Sequence, residues 1–497
     1  MELDSNYSAL PSGSHVELQP QNEPLDFASQ QRFLFSDDGN WEKELMIPRD
    51  VDDDDVDSDF DDYSLILSKP HGHKDQSGIP GAVFNLTTTI IGAGMMALPA
   101  TMKVLGIVLG LALMIVIGIL SEISVEMFVK YAVLCKAKSY GEVVEVAMGR
   151  TARVLSQICI IINNAGVLVV YLIIIGDVMS GSLHHHHHGV LDQWLGHGFW
   201  DHRKVLVLVI MVLFLAPLCS LNRIDSLSIT SAASVALAIV FVVVCLGATL
   251  VRLIEGKIKS PKMSIDFESR KTILDLLVVI PVISNAYVCH FNVQPIYNEL
   301  EGRSPQKMNK VVRITALICI MVYASTATSG FLLFGKYTES DILTNFDKSL
   351  GIRYSTALNY IVRVGYVLHL VLVFPVIHFS LRETVDNLVF HGSAPLVESR
   401  RRSLALTVVL LVLIYVGSTV IPNIWTAFKY TGATTAVSLG FTFPALIALR
   451  IGEQDKVLRL SMGQKCVSWS MLILAVIVSV AGTVGNIVSS IQSQSDD

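Results

Sequence analysis

Two stretches of the chain carry residues that could do chemistry, and both are otherwise apolar. In Ile79–Lys103, Gly92, Gly94 and Pro99 fall within eight residues. In Ile273–Leu300, Pro281 and Pro295 bracket Ser284, Asn285, Tyr287, His290, Asn292 and Gln294. Glycine loosens a helix, and proline removes an N–H and clashes with the carbonyl four residues back. A helix broken inside hydrocarbon frees backbone groups, which is tolerated only in a protein interior or along a cavity. Freed N–H groups at the start of a second half-helix suit a carboxylate. The chemistry on offer is therefore capture of a small solute. No nucleophile–base pair or metal-ligand spacing is present, so an enzyme is not expected, nor a cofactor or a metal.

The elements that must position these residues are membrane spans. Hydrophobic residues make up 52% of the 497, charged ones 16%, and mean hydropathy is +0.55. Several uncharged runs exceed the roughly 18 residues that mark a candidate span. Eleven spans are predicted, at roughly 79–102, 105–134, 153–181, 203–221, 226–251, 272–298, 311–335, 353–381, 403–421, 423–449 and 466–490. The first and sixth are the interrupted ones. Breaks five spans apart point to two five-helix halves related by an inverted repeat, with the substrate between the broken helices. Small residues also serve close helix packing, so either stretch alone reads equally as a packing surface.

Residues 1–77 hold 19 acidic against 5 basic side chains, culminating in Asp50–Asp62. That composition predicts a disordered cytosolic tail, with a transmembrane domain over 78–490 and a short non-cytosolic C-terminal tail over 491–497. With the tail in the cytosol, 17 Lys/Arg fall in cytosolic loops and 12 on the other side, which supports the orientation. Tyr63, Leu65 and Ile66 fit two short patterns read by sorting adaptors, tyrosine-x-x-bulky apolar and acidic-x-x-x-Leu-Ile; a plain solvated tail is the competing reading. The five histidines 184–188 read as a surface loop, and no metal is assigned. Lys138–Arg153 predicts a short helix on the cytosolic face. Glu122, Glu126 and Lys130 recur every four residues and predict a paired ladder along one helix. Asn163, Asn164, Arg363, His369, His378 and Lys429 are read as inter-helix hydrogen bonding or as lining.

Phe84-Asn85-Leu86-Thr87 leading to Gly92-Ala93-Gly94-Met95-Met96-Ala97-Leu98-Pro99 resembles the first span of the amino acid/auxin permease family. Ala286–Asn292 with Pro295-Ile296-Tyr297 is similar to its sixth. Arg363 with Pro375, and Thr431-Gly432-Ala433-Thr434, also match. The chain looks closest to the plant and fungal vacuolar amino acid exporters, relatives of the sodium-coupled neutral amino acid transporters. The resemblance implies an all-α, leucine-transporter-like fold of about eleven helices, working by alternating access on free amino acids. It implies substrate contacts at Thr88, Ile91, Gly92, Ala93 and Gly94, with Ser284 and Asn285 opposite. Those last two are more polar than that branch implies.

The expected function is amino acid transport, of neutral substrates, toward the cytosol across a vacuolar or endolysosomal membrane. An amino acid sensor signalling through the tail and a sodium-coupled plasma-membrane importer are the alternatives. The resemblance places an Asn in the sodium-coupled relatives where this chain has Thr88, and a Thr where it has Val371. Sodium needs several oxygen ligands, so proton coupling or downhill movement is expected instead. Asn85, Thr88, His369 and His378 are the candidates for the coupling ion. The expected partners are amino acids, protons, the bilayer and sorting adaptors, not nucleic acid.

Overall fold

The computed structural model describes residues 77–496 except 183–186, 197, 221–227, 259, 265–269, 391 and 455–459. The acidic tail with Tyr63, Leu65 and Ile66, and most of the histidine run, lie outside the described residues.

The described chain is helical nearly throughout; the exception is a two-residue antiparallel pairing of Gly181–Ser182 with His187–His188. The first span is two helices, α1 (Ile79–Ile90) and α2 (Gly94–Leu105), bent by 55° across the break. Helix α3 (Ile107–Leu134) follows Gly106, whose φ of +76° and contact with the Met263 backbone, 2.9 Å from a would-be Cβ, exclude other residues. The surface helix α4 (Tyr140–Met148) forms where it was predicted, capped by the Ser139 hydroxyl on the Glu142 N–H. Then come α5 (Arg150–Ser180) and α6 (Arg203–Ile210), the latter continuing through a π turn to Cys219. Helix α7 (Ser228–Ile254) leads to the sixth span, α8 (Arg270–Ala286) and α9 (His290–Glu299). Helices α10 (Pro305–Phe334), α11 (Ser355–Val389) and α12 (Arg400–Val420) come next. Helix α13 (Ile424–Thr431) passes through two π turns into α14 (Phe443–Gln454), and α15 (Met462–Asp496) ends the bundle.

Nine helices among the described residues are long and apolar enough to span, ten with the bent pair. The eleventh expected span is α6 with its extension, which is shorter than the others. Burial separates centre from rim. The apolar window of the sixth span is 83% buried, those of α3, α12 and α15 only 33%. Helices α10, α12 and α15 each expose apolar side chains, Leu317, Met321, Val408, Leu413, Ile477 and Val480, as a lipid-facing surface requires. The broken helices sit against each other, with α1 and α2 packed on α7, α10 and α11 and α8 packed on α13 and α15.

Two expectations need correction. The prolines do not mark the breaks: Pro99, Pro281 and Pro295 all lie within helices. The rings instead face glycines on other helices, Pro99 against Gly330 and Pro281 against Gly432 and Gly482. The acidic ladder on α3 is not paired along its own helix. Arg313 of α10 takes Glu126 at 2.6 Å and lies 3.9 Å from Glu122, because the ridge faces α10.

Candidate substrate site between the broken helices

α1 stops because Ile91 turns extended (φ −75°, ψ 104°), and α2 begins only at Gly94. Two glycines flanking Ala93 make this local loss of helix cheap. Ile91 N–H still reaches Thr87 O, but no backbone carbonyl takes the N–H of Gly92, Ala93 or Gly94 among the described residues. The sixth span comes apart at Tyr287–Cys289, just beyond the expected Ser284–Asn285. The freed carbonyls are met by tyrosines from two surrounding helices. Tyr323 of α10 places its hydroxyl 2.6 Å from Ile90 O and 2.8 Å from Ala286 O, one proton tying both breaks together. Tyr366 of α11 donates to Gly92 O at 2.7 Å.

A cavity of about 30 Å³ lies between the breaks, lined by Thr89, Ile90, Gly92, Ala93, Gly94, Asn285 and Ala286 together with side chains of α5, α9, α11 and α13. That volume suits one water. Admitting a larger solute therefore requires the helices to part. A Cβ at Gly92 would collide with the Tyr171 hydroxyl, and one at Gly94 would lie 3.0 Å from the Ala286 Cβ. Asn285 donates to Thr431 Oγ1 at 3.3 Å, which leaves its buried Oδ1 without a partner and free to accept. Thr435 similarly reaches Asn163 Oδ1 at 3.4 Å. Thr431 at the end of α13 and Thr435 in the π turn that follows thus hold the Asn285 and Asn163 side chains beside the cavity.

Of the expected substrate contacts, Gly92, Ala93, Gly94 and Asn285 line this cavity. Thr88, Ile91 and Ser284 are buried but do not. Sequence reasoning missed Thr89, Val167, Tyr171, Val288, Phe291, Ile377 and Phe428. Phe291 also lines a second cavity, of about 40 Å³, with Gln157, Glu383 and Asn387, so it stands between the site and one end of the bundle.

The coupling candidates separate into one group and two outliers. Thr88 Oγ1 lies 3.2 Å from Ser231 O and 3.3 Å from Ser234 Oγ, and His369 Nδ1 lies 2.7 Å from Ser234 O. A carbonyl only accepts, so Nδ1 carries the proton; Nε2 has no partner, and the ring lies against the Ile91 backbone. Asn85 and His378 are outside this group, and both His378 ring nitrogens are buried without a partner. Arg363 is an inter-helix tie, donating to Val178 O at 2.9 Å and His188 O at 2.6 Å.

Residues 75–488 match the family described as transmembrane amino acid transporter protein. The chain belongs to that family. It is 67% identical to amino acid transporter AVT6E of Arabidopsis thaliana, over 99% of this chain and all of that one. It is 44% identical to amino acid transporter AVT6A of the same plant, over 76% of this chain and 83% of that protein. MhsT, solved in complex with L-phenylalanine, shares the fold with a TM-score of 0.53 at 13% identity, covering 84% of this chain and all of that one. A manganese transporter of Eremococcus coleocola shares it at 0.54 and 12%, covering 86% and 88%. At such identities the likeness establishes the fold alone. This is a multi-pass, leucine-transporter-like amino acid transporter, not an enzyme.

Proposed function

We propose that the chain moves neutral amino acids toward the cytosol across a vacuolar-type membrane by alternating access, with its N-terminus cytosolic. The observation that carries this reading is the meeting of two broken helices at one narrow cavity, whose wall holds the N–H groups of Gly92–Gly94, taken by no backbone carbonyl among the described residues, and an unpaired Asn285 oxygen. A substrate carboxylate takes the former, at the start of α2. The α-amino group takes freed carbonyls and Asn285 Oδ1. The mostly apolar remainder of the wall, with Val167, Val288, Ile377 and Phe428, favours an uncharged side chain. Basic residues concentrated in the expected cytosolic loops support the orientation, and the named transporters support the substrate class.

The movement is proton-coupled or downhill, without sodium. Around Thr88 the oxygens of Ser231 and Ser234 are engaged with one another and with the His369 N–H. In the coupled version His369, which shares Ser234 with Thr88, carries the proton on Nε2, and Asn85 and His378 lie outside that group. Sorting through Tyr63, Leu65 and Ile66 is part of this proposal; changing all three to Ala should relocate a fluorescent fusion, and an unmoved fusion removes the motif.

The test is flux of labelled neutral amino acids in proteoliposomes of the purified protein, with choline replacing sodium, at fixed pH and then across an imposed pH gradient. Undiminished flux in choline is expected. Loss of flux in choline would establish sodium coupling, and binding without flux would make the protein a sensor.

A further inference from the structure

The segment joining α10 to α11 is buried to a degree unusual for a connection. It contains the 3-10 turn Ile342–Asp347, in which Ile342, Leu343, Asn345 and Phe346 are all buried. The turn packs on α2, α5, α11 and the strand His187–His188. Phe346 meets Phe241 at 6.1 Å between ring centroids, and Phe241 meets Tyr366 at 5.3 Å. Tyr366 is the residue that holds Gly92 O. Three aromatic rings thus connect this turn to the first break.

Asp341 begins the turn and is 5% exposed. Its Oδ1 accepts from the Leu343 N–H at 3.0 Å, whereas its buried Oδ2 has no hydrogen-bond partner. An ionised carboxylate in such a place is costly and is relieved by a proton or by water. The charged and titratable groups around it come from every packed element. Helix α11 supplies Arg363 and Tyr366; α5 supplies Asp177, itself paired with Arg203 of α6 at 2.7 Å. Helix α2 supplies Lys103, which donates to Thr338 O, and the strand supplies His188, which faces Asp192. Glu339, Asp347 and Lys348 lie on the segment itself. Burial pushes the Asp341 carboxyl up to about 7; the Leu343 N–H opposes this, Asp177 adds to it and Arg363 opposes it.

We propose that Asp341 is the proton-binding latch of this segment: protonated, it keeps the turn seated on α2 and α11, and ionised, it lifts the turn toward water. The seated carboxyl titrates above the hydrated one, 3.8 against about 7. Seating is therefore fully favoured below the lower value and loses support as pH rises through the higher one. In the proposed orientation the latch faces the non-cytosolic compartment, so acid there closes that side of the site. This consequence rests on the transporter reading; the latch itself does not.

The experiment measures hydrogen exchange at residues 338–347 in the purified full chain across pH, corrected for intrinsic rates. It needs no transport, so its failure is distinct from failure of the transporter reading. Protection in the native protein should fall by about tenfold or more between acid and mildly alkaline pH. Asp341→Asn should hold its acid-level protection throughout, and Asp341→Glu should keep a pH dependence with a shifted midpoint. Flat protection in the native protein, or the native profile in Asp341→Asn, overturns the proposal. Should Asp341→Asn fail to fold, a flat profile in Asp341→Glu overturns it equally.

Discussion

The two interrupted spans solve the same problem differently. α1 and α2 part by 55°, with three successive N–H groups that no backbone carbonyl takes among the described residues and small residues at the opening. α8 and α9 run on as one span, Leu276–Glu299, interrupted for only Tyr287–Cys289. The first break offers bare backbone, and the second offers side chains such as Asn285 beside it. The difference assigns them separate tasks in the proposed mechanism. The first captures what every amino acid shares, and the second, with α5 and α13, meets what varies.

The largest expected effect is at the first break. Gly92→Val should abolish amino acid binding, a loss of about a hundredfold or more for a misplaced contact at the reacting geometry, while the protein remains folded by size exclusion and thermal melting. Gly92→Ala should be milder and be partly rescued by Tyr171→Phe, since the added Cβ meets the Tyr171 hydroxyl first. Normal binding by Gly92→Val would place the site elsewhere.

Next is the tie between the breaks. Tyr323→Phe leaves two buried carbonyls short of a donor, at a cost of about 1–3 kcal/mol. It should lower the melting temperature and weaken binding about tenfold. An unchanged melt would mean that the two breaks are held together by packing alone.

A smaller change in binding, but a complete change in driving force, is expected from His369→Gln. Binding should stay within about fivefold, while stimulation by a pH gradient disappears. Persistent stimulation would remove His369 and turn attention to His378. At the second break, Asn285→Ala should alter preference among side chains with little loss in affinity for the best substrate, checked by competition with a panel of amino acids.

The glycines made the first break legible in the sequence, because their effect is local. The prolines misled, although their effect is also local. Pro99 and Pro281 do lose a hydrogen bond, but the surrounding helices offer glycines at Gly330, Gly432 and Gly482 where the rings press, and the helices hold. The polar run in the sixth span marked the right neighbourhood but not the residue at which the helix opens. Tyr171, Tyr323 and Tyr366 were invisible as site residues. Each lies in an apolar span whose pattern says only that it is buried, and its role depends on contact with a carbonyl or glycine 37 to 274 positions away. Arg313 as the partner of Glu126 was hidden for the same reason, lying 187 residues away on another helix. Charge and hydropathy gave the spans, while the partnerships between them required the fold.

The most direct test of the central claim is binding by substrate analogues to the purified protein, followed by calorimetry. If the N–H groups at Gly92–Gly94 capture the carboxylate, converting a bound neutral amino acid to its methyl ester should abolish binding. Changing its apolar side chain by one methylene should cost only about 1 kcal/mol. An ester that binds as tightly as the free acid would contradict the assignment of the first break.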